Sequence, residues 1–191
     1  MAELETERLR LRRWKPDDRE PFARMNADAR VMEFFPKTLT RDESDETADR
    51  IEKGFAKHGF GLYALELRET GQFIGFAGLA VPEFDAPFMP RVEIGWRLAF
   101  EHWGRGLATE AAREALRYGF GELGLTEIVA FTVPANSRSR RVMENIGMMR
   151  DPAGDFEHPR IAESHPLRRH VLYRAQRMNM PPFTSSTWPV M

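Results

Sequence analysis

From Val92 to Phe120 the chain runs from a strand through a glycine-bearing turn straight into an alanine-rich helix. Val92, Ile94, Trp96 and Leu98 share one face of the strand, and Glu93 falls on the other. Trp103-Gly104-Arg105-Gly106 follows, and then Ala108, Ala112, Ala115, Leu116 and Phe120 repeat at helical spacing. The first N–H groups of a helix lack internal partners and carry the positive end of its dipole. Glycines at the entry let an anion approach bare backbone, so the expected ligand is a phosphate or pyrophosphate. A P-loop is excluded because no Lys follows the second glycine. A dinucleotide fingerprint fits poorly, because its third small position is Thr109 and no second strand–helix–strand unit precedes the turn. A plain tight turn is the competing reading.

The rest of the chain supplies a mixed set of elements. Arg8 to Trp14 alternates, with Leu9 and Leu11 inward and Arg10 and Arg12 outward. Lys15-Pro16-Asp17-Asp18 starts a helix carrying Phe22 and Met25, and Thr40 with Glu43 forms a capping box for a second one, ended by Gly59 and Gly61. Tyr63–Leu67 and Phe73–Val81, joined by Thr70-Gly71, form an antiparallel hairpin, and 82–90 is a proline-rich loop. Ile128–Val133 is a buried strand, Pro134-Ala135-Asn136 a turn, and Ser137–Ile146 a short helix closed by Gly147. Residues 151–166 read as irregular, and Arg169–Arg174 as a last strand. The order β-α-α-β-β-β-α-β-α-β predicts an α/β (α+β) fold built on a mixed sheet. The expected organisation is one domain over 1–177 and a C-terminal tail over 178–191 that is mobile or docked on a partner.

Composition narrows the chemistry. There is no cysteine among 191 residues, which excludes disulfides, thiolate-bound metals and a thiol nucleophile of the chain's own. Any sulfur chemistry must therefore use sulfur brought by a ligand. Twenty-eight basic against 29 acidic residues leave a net charge of −1, which makes nucleic acid an unexpected partner. The rival is a patch made of Arg138, Arg140, Arg141, Arg168 and Arg169. The five histidines show no metal-ligand spacing, so no metal is expected. No apolar run approaches the ~18 residues of a membrane span, and Met1–Trp14 lacks the apolar core of a signal peptide, so the expected address is cytoplasmic.

Trp103-Gly104-Arg105-Gly106-Leu107-Ala108-Thr109-Glu110-Ala111 resembles the acetyl-CoA-binding motif of the GNAT family of N-acetyltransferases, in particular the branch of ribosomal-protein N-terminal acetyltransferases. The family pattern is Gln/Arg-x-x-Gly-x-Gly/Ala. Gly106 and Ala108 meet its last two positions, and Trp103 stands at the first, as is familiar in that branch. Phe131 to Met148 is similar to the family's strand, Asn turn, helix and Gly exit, and Glu5 to Arg12 to its first strand. The resemblance covers roughly residues 5–176 with three motifs in order.

The resemblance implies two parallel strands, at Val92–Leu98 and Ile128–Val133, that splay to admit the pantetheine arm of acetyl-CoA. It places the cofactor on Leu98, Ala99, Phe100, Trp103, Gly104, Arg105, Gly106, Leu107, Ala108, Thr109, Asn136 and Ser139. The Leu98 backbone N–H would stabilise the developing oxyanion, an effect of ~3 kcal/mol per donor. Glu93 is the first candidate for general base, with Glu83 and Asp85 as alternatives. The tyrosine that many members use as general acid is replaced by Met143, and Ser139 is the candidate donor to the departing sulfur. The implied activity is direct acetyl transfer from acetyl-CoA to a primary amine, a protein N-terminus or a small amine, by a monomer or homodimer. Met143 keeps open a CoA-binding sensor without catalysis. His158 and His165 are minor candidates for lining the acceptor site, and Asp151, Asp155, Glu157 and Glu163 hint at a cationic acceptor, with an ordinary acidic surface loop as the competing reading.

Overall fold

The computed structural model describes residues 3–179; the tail from Met180 onward lies outside the described residues. Strands are β1 (Leu4–Glu5), β2 (Leu9–Arg12), β3 (Leu62–Leu67), β4 (Phe73–Ala80), β5 (Val92–Leu98), β6 (Glu127–Thr132), β7 (Met149–Glu157) and β8 (Arg169–Gln176). Helices are α1 (Arg19–Ala27), α2 (Arg41–His58), α3 (Leu107–Gly121) and α4 (Ser137–Asn145). The strands form one eight-stranded sheet in the order β1-β2-β3-β4-β5-β6-β8-β7. Its pairs are antiparallel except β5 with β6.

Register sorts the side chains into two faces. Phe76 lies opposite Arg97, Gly78 opposite Gly95 and Ala80 opposite Glu93. Glu93 in turn lies beside Val129, and Phe131 opposite Leu172. These residues share the face covered by the 82–90 loop and by the cluster of Phe22, Met25 and Met32 packed on Phe76. Ile94, Leu98, Ile128 and Ala130 look the other way and join Ala111, Ala112, Ala115 and Leu116 of α3 in the main core. The alanines explain how α3 can lie close to the sheet, since small side chains shorten the approach.

Local signals hold where the sequence carries them. Thr40 accepts from the Glu43 N–H while the Glu43 carboxylate accepts from the Thr40 N–H, and α2 ends at Gly59 with φ 78°. Two expectations are corrected. Arg12 is buried rather than outward: it pairs with Asp18 at 2.7 and 2.8 Å and with Glu66 at 2.5 Å. The alternation was right, but both faces of β2 are covered, and the two carboxylates compensate the buried charge. Residues 149–157 form the edge strand β7 rather than an irregular segment. Its register shifts between Asp151 and Phe156, where Pro152 and Gly154 lie, and a sheet edge tolerates such a bulge.

Candidate active site

β5 and β6 pair at only two positions, Val92 with Ile128 and Glu93 with Val129. Beyond them the strands separate, although β5 runs on to Leu98 and β6 to Thr132. On its other side β5 stays paired with β4 up to Gly75–Leu98. The Ala99 N–H donates to the Ile74 carbonyl at 2.9 Å. In an antiparallel ladder, bonded and non-bonded residues alternate, so the N–H groups of Leu98 and Trp96 turn towards the gap. The Leu98 carbonyl accepts from Trp103 Nε1 at 2.8 Å, and the Leu98 N–H is directed at the gap. At Ala99 both backbone groups are already engaged. Its N–H is held by Ile74 and its carbonyl accepts from the His102 N–H, so the free sheet edge lies at Trp96 and Leu98. Phe100 remains at the rim, with its ring 39% exposed.

The glycine turn has the geometry of an anion cradle. Gly104 and Gly106 take left-handed φ values of 71° and 75°. Gly106 is the N-cap of α3 and offers no side-chain cap. The first internal bond of the helix runs from Glu110 N–H to the Gly106 carbonyl, so the N–H groups of Leu107, Ala108 and Thr109 precede it. An added Cβ at Gly104 would meet nothing within 4 Å, which leaves space for a ligand. Arg8, which the sequence reading did not single out, holds this turn. Its Nη1 donates to the Arg105 carbonyl at 2.9 Å and its Nε to Glu110 Oε2 at 2.7 Å. Thr6 Oγ1 also donates to Glu110, at 2.5 Å. Glu110 stands in the first turn of α3, where its charge would repel a diphosphate, and Arg8 neutralises it. Arg8→Met is therefore expected to weaken CoA binding about tenfold. Calorimetry with CoA checks this, and an unchanged affinity would remove Arg8 from the cradle.

Glu93 sits behind the opening of the strands. Burial pushes its carboxyl up to about 8, with no charged neighbour contributing. Its face continues into an aromatic cluster. Phe88, Phe131 and Phe156 pack together, and His158 lies 4.7 Å from Phe84 and 5.1 Å from His170, ring centre to ring centre. Burial holds His158 down at about 4, so it is neutral at pH 7. His165 stays outside this cluster, its Nδ1 accepting from the Leu167 N–H. Glu83 and Asp85 are exposed, and Glu83 pairs with Lys57 at 3.2 Å. Arg97, two positions beyond Gly95, is half-buried on the same face as Glu93.

The acids of the 151–163 segment do not make an acidic acceptor wall. Asp151 pairs with Arg174, Asp155 with Arg150, and Glu157 and Glu163 with Arg168. Of the five arginines of the basic patch, Arg138, Arg140, Arg168 and Arg169 are engaged within the chain. Arg138 pairs with Glu33, Arg140 donates to Tyr173 and Pro134, and Arg169 pairs with Glu157.

On α4, Asn136 acts as the cap. Its Oδ1 accepts from the Ser139 N–H at 3.1 Å and its Nδ2 donates to Thr132 Oγ1 at 3.1 Å. Each end of its amide makes one bond within the chain, and one Nδ2 N–H and one Oδ1 lone pair remain. Ser139 is half-buried one turn into the helix. Met143 is 2% exposed and lies in the core, so nothing in that position reaches the gap with a proton. Among the described residues, no group of His, Asp and Glu forms a metal cluster, and no helix is long and apolar enough to cross a membrane. Two surface hollows, of about 420 and 990 Å³, lie under the 82–90 loop and at the opposite end of β5 and β6, away from the glycine turn.

The family model of the acetyltransferase (GNAT) domain matches residues 8–149. The chain belongs to the GNAT acetyltransferases. Among its relatives is the FsC-acetyl coenzyme A-N(2)-transacetylase of Aspergillus fumigatus, 33% identical over 97% of this chain and 83% of that protein. YoaA of Bacillus subtilis, an N-acetyltransferase, is 31% identical over 78% of this chain and 83% of its own length. The fold matches a GNAT-family acetyltransferase from Bacillus anthracis with a TM-score of 0.76 and 24% identity, covering 93% of this chain and 99% of that one. It also matches RimJ of Mycobacterium smegmatis, solved with CoA-disulfide, with a TM-score of 0.73 and 20% identity, over 96% and 90% of the two chains.

Within this GNAT fold, several sequence-predicted residues converge. Leu98, Trp103 and the Gly104–Thr109 turn border one end of the splay, with α4 and Ser139 following β6 on the other side. Sequence reasoning missed the Arg8 clamp, the Trp96 backbone and Arg97. The one signal for Arg97 was its place in the Glu93-Gly95-Arg97 alternation.

Proposed function

We propose that this GNAT enzyme transfers acetyl from acetyl-CoA directly to a primary amine, with the glycine turn as diphosphate site and Glu93 as general base. The observation that carries the reading is the two-position pairing of β5 with β6, which opens a sheet edge beside the uncapped start of α3. The residues fit the co-substrate: left-handed glycines with open space beside them, free helix N–H groups, and an N–H at Leu98 directed into the gap. Acetyl-CoA supplies the activated thioester that this cysteine-free chain has no means to form for itself.

The amides of Gly106 to Thr109 hold the diphosphate, and the Trp96 and Leu98 edge extends the sheet onto the amide-bearing arm. The Leu98 N–H meets negative charge developing on the carbonyl oxygen. Glu93, in its carboxylate form, accepts the proton of the incoming ammonium through water. Ser139 Oγ–H is the donor nearest in role to the departing sulfur, since Met143 has no proton to give. The chain has no cysteine and Ser139 is assigned to the departing sulfur, so the amine attacks the thioester itself. We read the enzyme as cytoplasmic, with one catalytic domain over 1–177.

Incubation with acetyl-CoA and a broad amine panel tests this reading through release of free CoA thiol. The expected result is thiol release that depends on the amine. CoA binding by calorimetry with silence across the panel would favour the sensor reading that Met143 suggests.

A further inference from the structure

Arg97 is the charged group that the acetyl-transfer chemistry leaves unexplained. Three nearby guanidiniums have carboxylates: Arg8 has Glu110, Arg30 has Asp28 and Arg138 has Glu33. Arg97 has none among the described residues. Its Nη1 donates to Asn26 Oδ1 at 2.7 Å, its Nε is buried without a hydrogen-bond partner, and its guanidinium carbon lies 4.1 Å from the ring centre of Phe35 and 5.4 Å from that of Phe76. Asn26 is fully buried and is itself fixed by Ser44 Oγ at 2.8 Å. The guanidinium is thus oriented by α1 and α2 and lies against two rings, with donors left over. A partly desolvated, unpaired guanidinium is unfavourable unless an anion completes it.

Position decides what that anion belongs to. Arg97 precedes Leu98, whose N–H faces the gap, and shares the sheet face of Glu93 with Gly95 between them. An added Cβ at Gly95 would meet only Leu62 Cδ2, at 3.8 Å. Glycine at Gly95, and at Gly78 opposite it, leaves the floor between the base and the guanidinium without side chains of its own. The span from Glu93 to Arg97 is about 13 Å at ~3.3 Å per residue. The acids that would have favoured a polycation are already paired, as shown above.

We propose that Arg97 is a specificity residue that binds a carboxylate of the acceptor, so that the enzyme acetylates small amino carboxylates in preference to plain amines. The planar fork of the guanidinium suits two carboxylate oxygens, and Asn26 and the rings preorganise it. This inference rests on the acetyl-transfer reading for the identity of the amine, but the anion site itself does not depend on turnover.

The test compares amino acids with their carboxamides as acceptors. The wild type is expected to favour the carboxylate by roughly 10- to 100-fold in kcat/KM, mainly through KM, and Arg97→Gln to bring the ratio near one. Arg97→Lys, which keeps the charge without the fork, should give an intermediate ratio. Equal rates for both acceptors in the wild type, or a preference that survives Arg97→Gln, would overturn the proposal and leave acetyl transfer standing. If no amine is acetylated at all, the catalytic reading fails, and succinate then serves as the probe in calorimetry with CoA present. Succinate binding to the wild type and not to Arg97→Gln supports the anion site, whereas binding to both or to neither overturns it.

Discussion

Glu93→Gln is expected to lower kcat by roughly 10²- to 10⁴-fold, the usual range for loss of a positioned general base. CoA affinity should stay close to wild type, because Glu93 lies on the face opposite Ile94 and Leu98 and away from the glycine turn. The pH profile separates a base from a bystander. Burial raises the Glu93 carboxyl to about 8, so the carboxylate fraction, and with it kcat/KM, should climb through that pH in the wild type. In Glu93→Gln that limb should vanish, leaving only the ionisation of the acceptor amine. Stability should move in the opposite sense. A carboxyl of ordinary value 4.5 in the unfolded chain and about 8 in the folded one keeps its proton longer when folded. Wild-type stability, relative to Glu93→Gln, should therefore fall as pH rises from about 4.5 to about 8 and level off above. Unchanged kcat in the variant would remove Glu93 from the mechanism, and parallel stability curves would show that its carboxyl is not desolvated.

How much of this was legible depends on whether the signal was local. The β5–turn–α3 unit announces itself because alternation, two glycines and an alanine stripe all lie within one stretch of chain, and the structure keeps each of them. The capping box at Thr40 is equally local. β7 was missed because Pro152 and Gly154 read as loop residues, and only the partner strand β8 shows that they occupy a bulged edge. Arg12 and Arg97 were misjudged or overlooked for a different reason. Both alternate as solvent-facing arginines do, and what buries them comes from other elements: Asp18, six positions on, and the distant Glu66 for one, Asn26 and Phe35 for the other. Arg8 is the same case seen from the surface. Its partners Arg105 and Glu110 lie about a hundred positions away, so no window along the chain connects them. Main-chain availability was half legible: the direction of the Leu98 N–H follows from the strand, whereas the engagement of the Ala99 N–H and carbonyl shows only in their bonds to Ile74 and His102.

Gly106→Val is expected to weaken CoA binding by about 100-fold or more while the apo protein still folds, an estimate that assumes loss of at least two charge-assisted hydrogen bonds. Two effects act together. At φ 75°, a non-glycine residue costs roughly 1–2 kcal/mol, and a β-branched one fits that region worst. An added Cβ meets only Arg8 Nη2, at 3.6 Å, so the side chain is not expelled by the protein and instead occupies the approach to the N–H groups of Leu107 to Thr109. Gly104→Asn and Gly106→Asn divide these contributions, because asparagine tolerates the left-handed region. At Gly104, asparagine should leave most of the affinity, and at Gly106 it should still lower it by crowding the cradle. Thermal melts with and without CoA read both effects, since a ligand that binds only the folded state raises Tm with the logarithm of its concentration over Kd. The CoA-induced rise should disappear in Gly106→Val, whereas the apo Tm should drop by only a few degrees, as ~1–2 kcal/mol does in a domain of this size. A CoA-induced rise as large in Gly106→Val as in the wild type would place the diphosphate elsewhere. The uncapped start of α3 and the Arg8–Glu110 clamp would then need a structural explanation independent of any ligand.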